Sequence, residues 1–389
     1  MTGFPYARLR RLPDVEAPEL RAWDATDELL VARARDEIAR SATGIRGDEV
    51  VVVGDAYGAL TLPLVADGLA GIRVHQDLVT GRRALVRNAA ELGVDGFVPH
   101  ELGADLLRGA RLILLQLPKA LAELTEIADA VARHAAPDSV LIAGGRVKHM
   151  TVAQNEVLGR FFRRVQPQRA ERKSRLVLAH EPVRPAGESP FPVRATHADP
   201  TPGPAVSFVL CAFGGAFAGE RLDIGTRALL EAADRLPSPP VESAAPFRVI
   251  DLGCGTGALA ASYALRHRSA EVIATDRSAA AVRSAAATMA ANGVAERVRV
   301  TLDDAGSDLP NASADLILLN PPFHLGAGVH EGAGRRLIVA AGRLVRPGGE
   351  VWTVFNSHLD HRRALAAEVG PTEQVRRTPK FTVTRSVRA

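Results

Sequence analysis

Phe247-Arg248-Val249-Ile250-Asp251-Leu252-Gly253-Cys254-Gly255-Thr256-Gly257, followed by Ala258-Leu259-Ala260-Ala261, decides the fold. The apolar run reads as a strand, the alternate glycines as a tight turn, and the alanine-rich stretch as the start of a helix. Glycines at alternate positions let the backbone pass close to a ligand. The spacing is G-x-G-x-G with an acid in front, not the G-x-G-x-x-G of dinucleotide-binding folds. A pyrophosphate favours a helix N-terminus with no carboxylate close by, and Asp251 would repel it. The ligand expected here carries no phosphate.

S-Adenosylmethionine fits that requirement, because its amino-acid end carries an ammonium group that Asp251 can help to hold. The next apolar run, Glu271-Val272-Ile273-Ala274-Thr275, ends in Asp276, which is placed to accept from two ribose hydroxyls. A third strand closes on Leu302-Asp303-Asp304-Ala305. One of its two acids can meet the adenine amino group, and Asp304 is the preferred one. Further on, the buried run Leu316-Ile317-Leu318-Leu319 leads into Asn320-Pro321-Pro322-Phe323-His324. Two prolines fix φ and remove two N–H donors, so the loop is stiff. The Asn320 oxygen and a backbone carbonyl can accept both hydrogens of an exocyclic amine, and Phe323 offers a flat face for a base. The plainer reading is a Pro-rich turn with an incidental core Phe.

In this order, the glycine loop, the spaced acids and Asn320-Pro321-Pro322-Phe323-His324 resemble class I S-adenosylmethionine-dependent methyltransferases. Within them they resemble bacterial ribosomal RNA guanine-N2-methyltransferases. Leu222-Asp223-Ile224-Gly225-Thr226-Arg227 and Asn356-Ser357-His358-Leu359-Asp360 add to the likeness. Lys380-Phe381-Thr382-Val383 and Val147-Lys148-His149 favour the large-subunit (23S) enzyme over its small-subunit relative. The resemblance implies an α/β chain of two tandem Rossmann-like methyltransferase domains, the N-terminal one degenerate. It also implies Asn320, Pro321 and Phe323 as catalytic residues, and Asp251, Gly253, Gly255, Gly257, Asp276, Asp304 and Asn320 around S-adenosylmethionine. Competing expectations are small-subunit guanine-N2 methylation, a protein glutamine or adenine-N6 methyltransferase, and a non-catalytic RNA-binding scaffold.

An internal repeat supports the duplication. Leu112-Ile113-Leu114-Leu115-Gln116-Leu117-Pro118-Lys119 aligns without a gap on Leu316–Phe323, and Val51 to Leu60 aligns on the glycine-loop strand. Asp77 falls near the place of Asp276. In this copy Ala56 replaces Gly255, Val52 replaces Asp251, and Lys119 stands where Phe323 would stack, so cofactor binding is not expected of it. The expected domains are 1–180, a Pro-rich linker over 181–204, and a catalytic domain over 205–389. Proline density in the linker argues against a helix or central strand. Before it, Arg160, Arg163, Arg164, Arg169, Arg172, Lys173 and Arg175 meet only Glu171. Such a run is either a solvated face or a phosphate-contacting patch for RNA, and the second is preferred.

The 389 residues are 47% hydrophobic and 24% charged, values for a water-soluble globular protein of two ordinary domains. A formal net charge of +4 permits nucleic-acid binding without demanding it. Two cysteines, Cys211 and Cys254, give no disulfide framework and fit a cytoplasmic setting. No secretory signal, membrane span or metal-ligand spacing is read, and a monomer is expected. His324, His358 and Cys254 read as structural rather than catalytic.

Overall fold

The computed structural model describes residues 3–240, 245–321, 329–359 and 361–389. The chain divides into two compact units, Met1–Phe191 and Pro192–Ala389. In the first unit the strands are β1 (Val50–Val53), β2 (Ile72–His75), β3 (Phe97–Pro99), β4 (Leu112–Gln116), β5 (Val140–Arg146), β6 (Phe162–Pro167) and β7 (Ser174–Pro182). They form one sheet in the order β3-β2-β1-β4-β5-β7-β6, parallel except for the pairings of β7.

The second unit begins with a hairpin of β8 (Val193–Ala198) and β9 (Ser207–Ala212). Its main strands are β10 (Phe247–Leu252), β11 (Ala270–Asp276), β12 (Val298–Leu302), β13 (Ala314–Leu319), β14 (Val345–Asn356), β15 (Thr372–Arg377) and β16 (Phe381–Val387). Their order, β12-β11-β10-β13-β14-β16-β15, repeats the first sheet strand for strand.

Continuous apolar runs become central strands because helices cover both faces of a parallel sheet. Alternation across the strand divides β1 and β4 between two cores. Val50, Val52, Leu112 and Leu114 enter one, and Val51, Val53, Ile113 and Leu115 enter the other. The second sheet divides its residues likewise. Val249, Leu316 and Leu318 lie on one side, and Ile250, Leu252, Ile317 and Leu319 on the other. The register supports the gapless alignment, since Val53 pairs with Leu115 as Leu252 pairs with Leu319.

Two details of the repeat depart from expectation. Val53 pairs with His75 and Leu252 with Thr275, so Gln76, not Asp77, stands at the Asp276 position. The counterpart of Asp276 is therefore an amide, which donates to the Asp55 carbonyl at 2.9 Å. The Pro-rich stretch also holds more structure than an extended linker. Its prolines flank β8 rather than enter it, and β8 is an edge strand, where missing donors cost least. Asp199, just after β8, accepts from Ser262 Oγ at 2.6 Å and Arg266 Nε at 2.9 Å. Residues from Pro192 onward are thereby fastened to the second unit.

Candidate active site

Helices and strands place the site at the carboxyl edge of the second sheet. Successive strands run outward from β10 in one direction and from β13 in the other. The order reverses between these two neighbours, and open α/β sheets bind ligands at such a switch point. Because Leu252 pairs with Leu319, Gly253 and Asn320 leave adjacent strand ends together.

Beneath the turn, Asp251 is 1% exposed and accepts from the Ala260 N–H at 3.0 Å, fastening β10 to the helix Ala258–Arg266. Burial pushes this carboxyl up to about 7, and nearby Asp276 adds to the effect. Expected beside a ligand ammonium, Asp251 is found buried and bonded to the backbone of the helix that follows the turn. Gly253, Gly255 and Gly257 have φ of 77°, 54° and 80°, a region that side chains disfavour. At Gly255 nothing among the described residues lies within 4 Å of where a Cβ would stand, so among them the turn opens onto free space. Asp276, at the tip of β11, accepts from the Gly255 N–H at 3.0 Å and the Ser278 N–H at 2.9 Å. It orients the turn and presents its carboxylate at the same edge.

The acids after β12 separate by task. Asp303 accepts from the N–H groups of Asp304 at 2.7 Å and Asp308 at 2.9 Å and from the Ser307 hydroxyl, so it shapes the loop. Asp304, 9% exposed, pairs with Arg336 of the helix Val329–Leu344. Of the two, Asp304 is the acid not consumed by its own loop.

Asn320 is held in an arrangement that sequence reasoning missed. Its Nδ2 donates to Asp223 Oδ2 at 3.0 Å and to Thr226 Oγ1 at 2.9 Å. Asp223 caps the helix Ile224–Leu230, and the same Oδ2 accepts from the N–H groups of Gly225 at 2.9 Å and Thr226 at 3.1 Å. Asp223-Ile224-Gly225-Thr226 is therefore a helix N-cap turn that also grips Asn320. The Asn320 Oδ1 is buried with no partner among the described residues. A buried acceptor left without a partner costs roughly 1–3 kcal/mol, a cost that a donor reaching it would remove. Pro321 is buried beside it. Phe323, along with Pro322 and His324, lies outside the described residues.

The first unit keeps the frame and fills the space. Gln116, at the Asn320 position, donates to Asp27 Oδ1 at 2.5 Å. Asp24-Ala25-Thr26-Asp27 matches Asp223-Ile224-Gly225-Thr226 as a helix cap, and Asp24 accepts from the Thr26 N–H. That match was the available signal for the Asn320 grip, because the repeat extends upstream of the strands. Burial pushes Asp27 up to about 7, despite N–H donation from Asp24 and Gln116 and with Asp55 raising it further. A folded pKa above the unfolded value means stability is full at low pH and is lost as pH rises through the folded pKa. Asp27→Asn removes that loss while Gln116 turns its amide to keep the hydrogen bond. Its stability relative to wild type is expected to rise by roughly 1–3 kcal/mol between about pH 4 and 7 and to level off above. Hydrogen exchange of β1 and β4 amides checks this, and a pH-independent difference would refute it.

Known proteins place the chain in a family. Residues 207–385 match the methyltransferase small domain and residues 2–183 the RLMG N-terminal domain. The ribosomal RNA large subunit methyltransferase G of Streptomyces avermitilis is 34% identical over 98% of this chain and 96% of its own. That of Stutzerimonas stutzeri is 33% identical over 99% and 98%. The chain belongs to the ribosomal RNA large subunit methyltransferase G family. A T. thermophilus 16S rRNA N2 methyltransferase, solved in complex with AdoMet and guanosine, superposes with a TM-score of 0.74. It is 20% identical, with 96% of this chain and 97% of that one covered, and so supports the two-domain Rossmann-like fold. Among the described residues no cluster suited to a metal ion is present, and no helix is long and apolar enough to cross a membrane.

Proposed function

We propose that the chain transfers a methyl group from S-adenosylmethionine to the exocyclic N2 amine of a guanine in large-subunit ribosomal RNA. The single observation that carries this is the orphaned Asn320 Oδ1 beside the open glycine turn. The residues fit the cofactor: Gly253, Gly255 and Gly257 give its backbone approach, Asp276 takes the ribose hydroxyls, and Asp304 meets the adenine amine. Asp251 acts from beneath, fastening β10 to the helix that follows the turn.

When bound, the cofactor supplies an electrophilic methyl on a sulfonium. The guanine N2 lone pair is delocalised into the ring, which makes the amine a weak nucleophile. Asn320 Oδ1 and the Pro321 carbonyl accept its two hydrogens and favour a pyramidal nitrogen whose lone pair is free. Transfer of that methyl would form the N–C bond and release the sulfur as a neutral thioether, and the alkylated nitrogen, then acidic, would lose a proton to solvent. No strong base is required, so catalysis comes mainly from positioning and preset acceptors. Phe323 would stack on the flipped base.

The first unit is the proposed RNA holder. Lys119, Lys148 and Lys173 are exposed at the carboxyl edge of its sheet, the edge that carries the site in the second unit. The turn between β6 and β7 puts Arg172 and Lys173 at φ of 48° and 62°, where Asn-Gly is usual. Arg172 is neutralised by Glu28 and Glu171. Arg160, Arg163, Arg164 and Arg169 are exposed and make no ion pair among the described residues.

Nucleoside mass spectrometry of rRNA from cells with and without the gene tests the reaction. Loss of N2-methylguanosine from large-subunit rRNA is the expected result, and an unchanged modification profile would refute it. For the cofactor, Asp276→Ala is expected to weaken S-adenosylmethionine binding by about 1.5–3 kcal/mol, the scale of hydrogen bonds to a charged group. Calorimetric titration measures it, and unchanged affinity would remove Asp276 from the site.

A further inference from the structure

We propose that Asp223, Gly225 and Thr226 form a positioning device that aims the Asn320 oxygen at the target amine and strengthens it as an acceptor; this rests on the guanine-N2 reading above. An asparagine amide can turn end for end, and only one orientation suits the reaction. With its nitrogen outward, Asn320 would point a donor at an amine that is itself a donor. Asp223 prevents this, because a carboxylate accepts and does not donate, so Nδ2 must face it. Thr226 Oγ1 takes the second amide hydrogen, which fixes the plane of the group. Both Nδ2 hydrogens are then engaged, and Oδ1 is the end left over.

The carboxylate does more than orient. Hydrogen bonds in series polarise one another, and an anionic acceptor behind Nδ2 draws negative charge onto Oδ1. As the amine nitrogen turns cationic during transfer, its hydrogens meet a stronger acceptor than an isolated amide offers. No proton passes along this chain.

Gly225 supplies the room. A Cβ at this position would lie 3.0 Å from Asp223 Oδ2, 3.1 Å from Asn320 Oδ1 and 3.3 Å from Phe381 Cε1. A methyl there would cover the acceptor and crowd the carboxylate together. The first unit shows the filled version. Thr26 occupies the matching place and its hydroxyl bonds Ser174 Oγ at 2.8 Å. Ser174 is the strand residue equivalent to Phe381, since it pairs with Arg146 as Phe381 pairs with Asn356. The copy whose glycine turn is broken thus also has its amine pocket closed.

The test uses the full-length enzyme, unmodified large-subunit rRNA and single-turnover conditions with saturating S-adenosylmethionine. Asp223→Asn keeps a good helix cap but loses the charge, and the rate is expected to fall about 10- to 100-fold. Gly225→Ala is expected to lose about 100-fold or more. Thr226→Val is expected to lose about 10-fold and Thr226→Ser to recover most of it. In all four the cofactor dissociation constant should stay within about twofold of wild type, which a general loss of structure would not allow. Should Asp223→Asn unfold, the Thr226→Val and Thr226→Ser pair decides alone. Wild-type rates in Gly225→Ala and Thr226→Val would overturn the device. If wild type methylates another atom, the guanine-N2 reading fails instead, and the two failures are told apart by the product nucleoside.

Discussion

Asn320→Ala is expected to lower methyl transfer by about 10²–10³-fold, the range for removing one preset hydrogen-bonding group from a transition-state site. S-Adenosylmethionine affinity should change little, because the glycine turn and Asp276 are the residues proposed to carry most of that contact. The substitution also frees Asp223 and Thr226 from their shared donor, yet Asp223 still caps its helix through two backbone N–H groups. Folding should therefore survive. The matched control is Gln116→Ala in the first unit, which removes the donor to Asp27 and is expected to cost stability there without slowing transfer. Single-turnover assays on naked rRNA, paired with cofactor titrations, separate the two. Equal rate losses from both would mean that the first copy also takes part in chemistry.

Much of the frame behind that expectation is legible in the sequence, and the reasons are physical. Buried parallel strands must be apolar throughout, so Leu112–Leu115 and Leu316–Leu319 stand out and align. A glycine turn with positive φ at three positions has few substitutes, so Gly253, Gly255 and Gly257 are equally plain. Placement to a single residue is harder. Asp77 reads as the natural partner of Asp276 because both are acids, but pairing depends on register, and register puts Gln76 there. Likewise an acid before a glycine turn can point up at a ligand or down at a helix. Only packing shows that Asp251 bonds Ala260. The hydrogen bonds of Asn320 with Asp223 and Thr226 span more than ninety residues of sequence. No local pattern encodes such a pairing, although the duplicated helix cap hints at it.

Proline density misled for a related reason. It correctly excludes a central strand, but an edge hairpin tolerates flanking prolines, and β8 is one. This moves the useful boundary from Ala205 to Pro192. A fragment starting at Ala205 would lose β8 and the Asp199 carboxylate, leaving Ser262 and Arg266 without that acceptor.

Residues 192–389 alone are expected to bind S-adenosylmethionine like the whole chain but to methylate rRNA poorly. The residues proposed to hold the cofactor all lie in the second unit, whereas the exposed arginines on and around β6, which make no ion pair among the described residues, lie in the first. Arginines that neutralise phosphates release counterions, so they add affinity that salt removes and carry little sequence readout. In the full-length enzyme, Arg163→Ala, Arg164→Ala and Arg169→Ala together should weaken rRNA binding at low salt. They should also flatten the plot of log affinity against log salt by about one unit of slope for each phosphate no longer neutralised. Arg172 is a poor choice for this test, since Glu28 and Glu171 already neutralise it and its removal would disturb the turn. Filter binding across a salt series, alongside cofactor titrations that should not move, measures both quantities. A fragment that matched the full chain on rRNA, or a triple variant with an unchanged salt slope, would place the RNA-binding surface elsewhere. The first unit would then be a scaffold rather than the holder of the substrate.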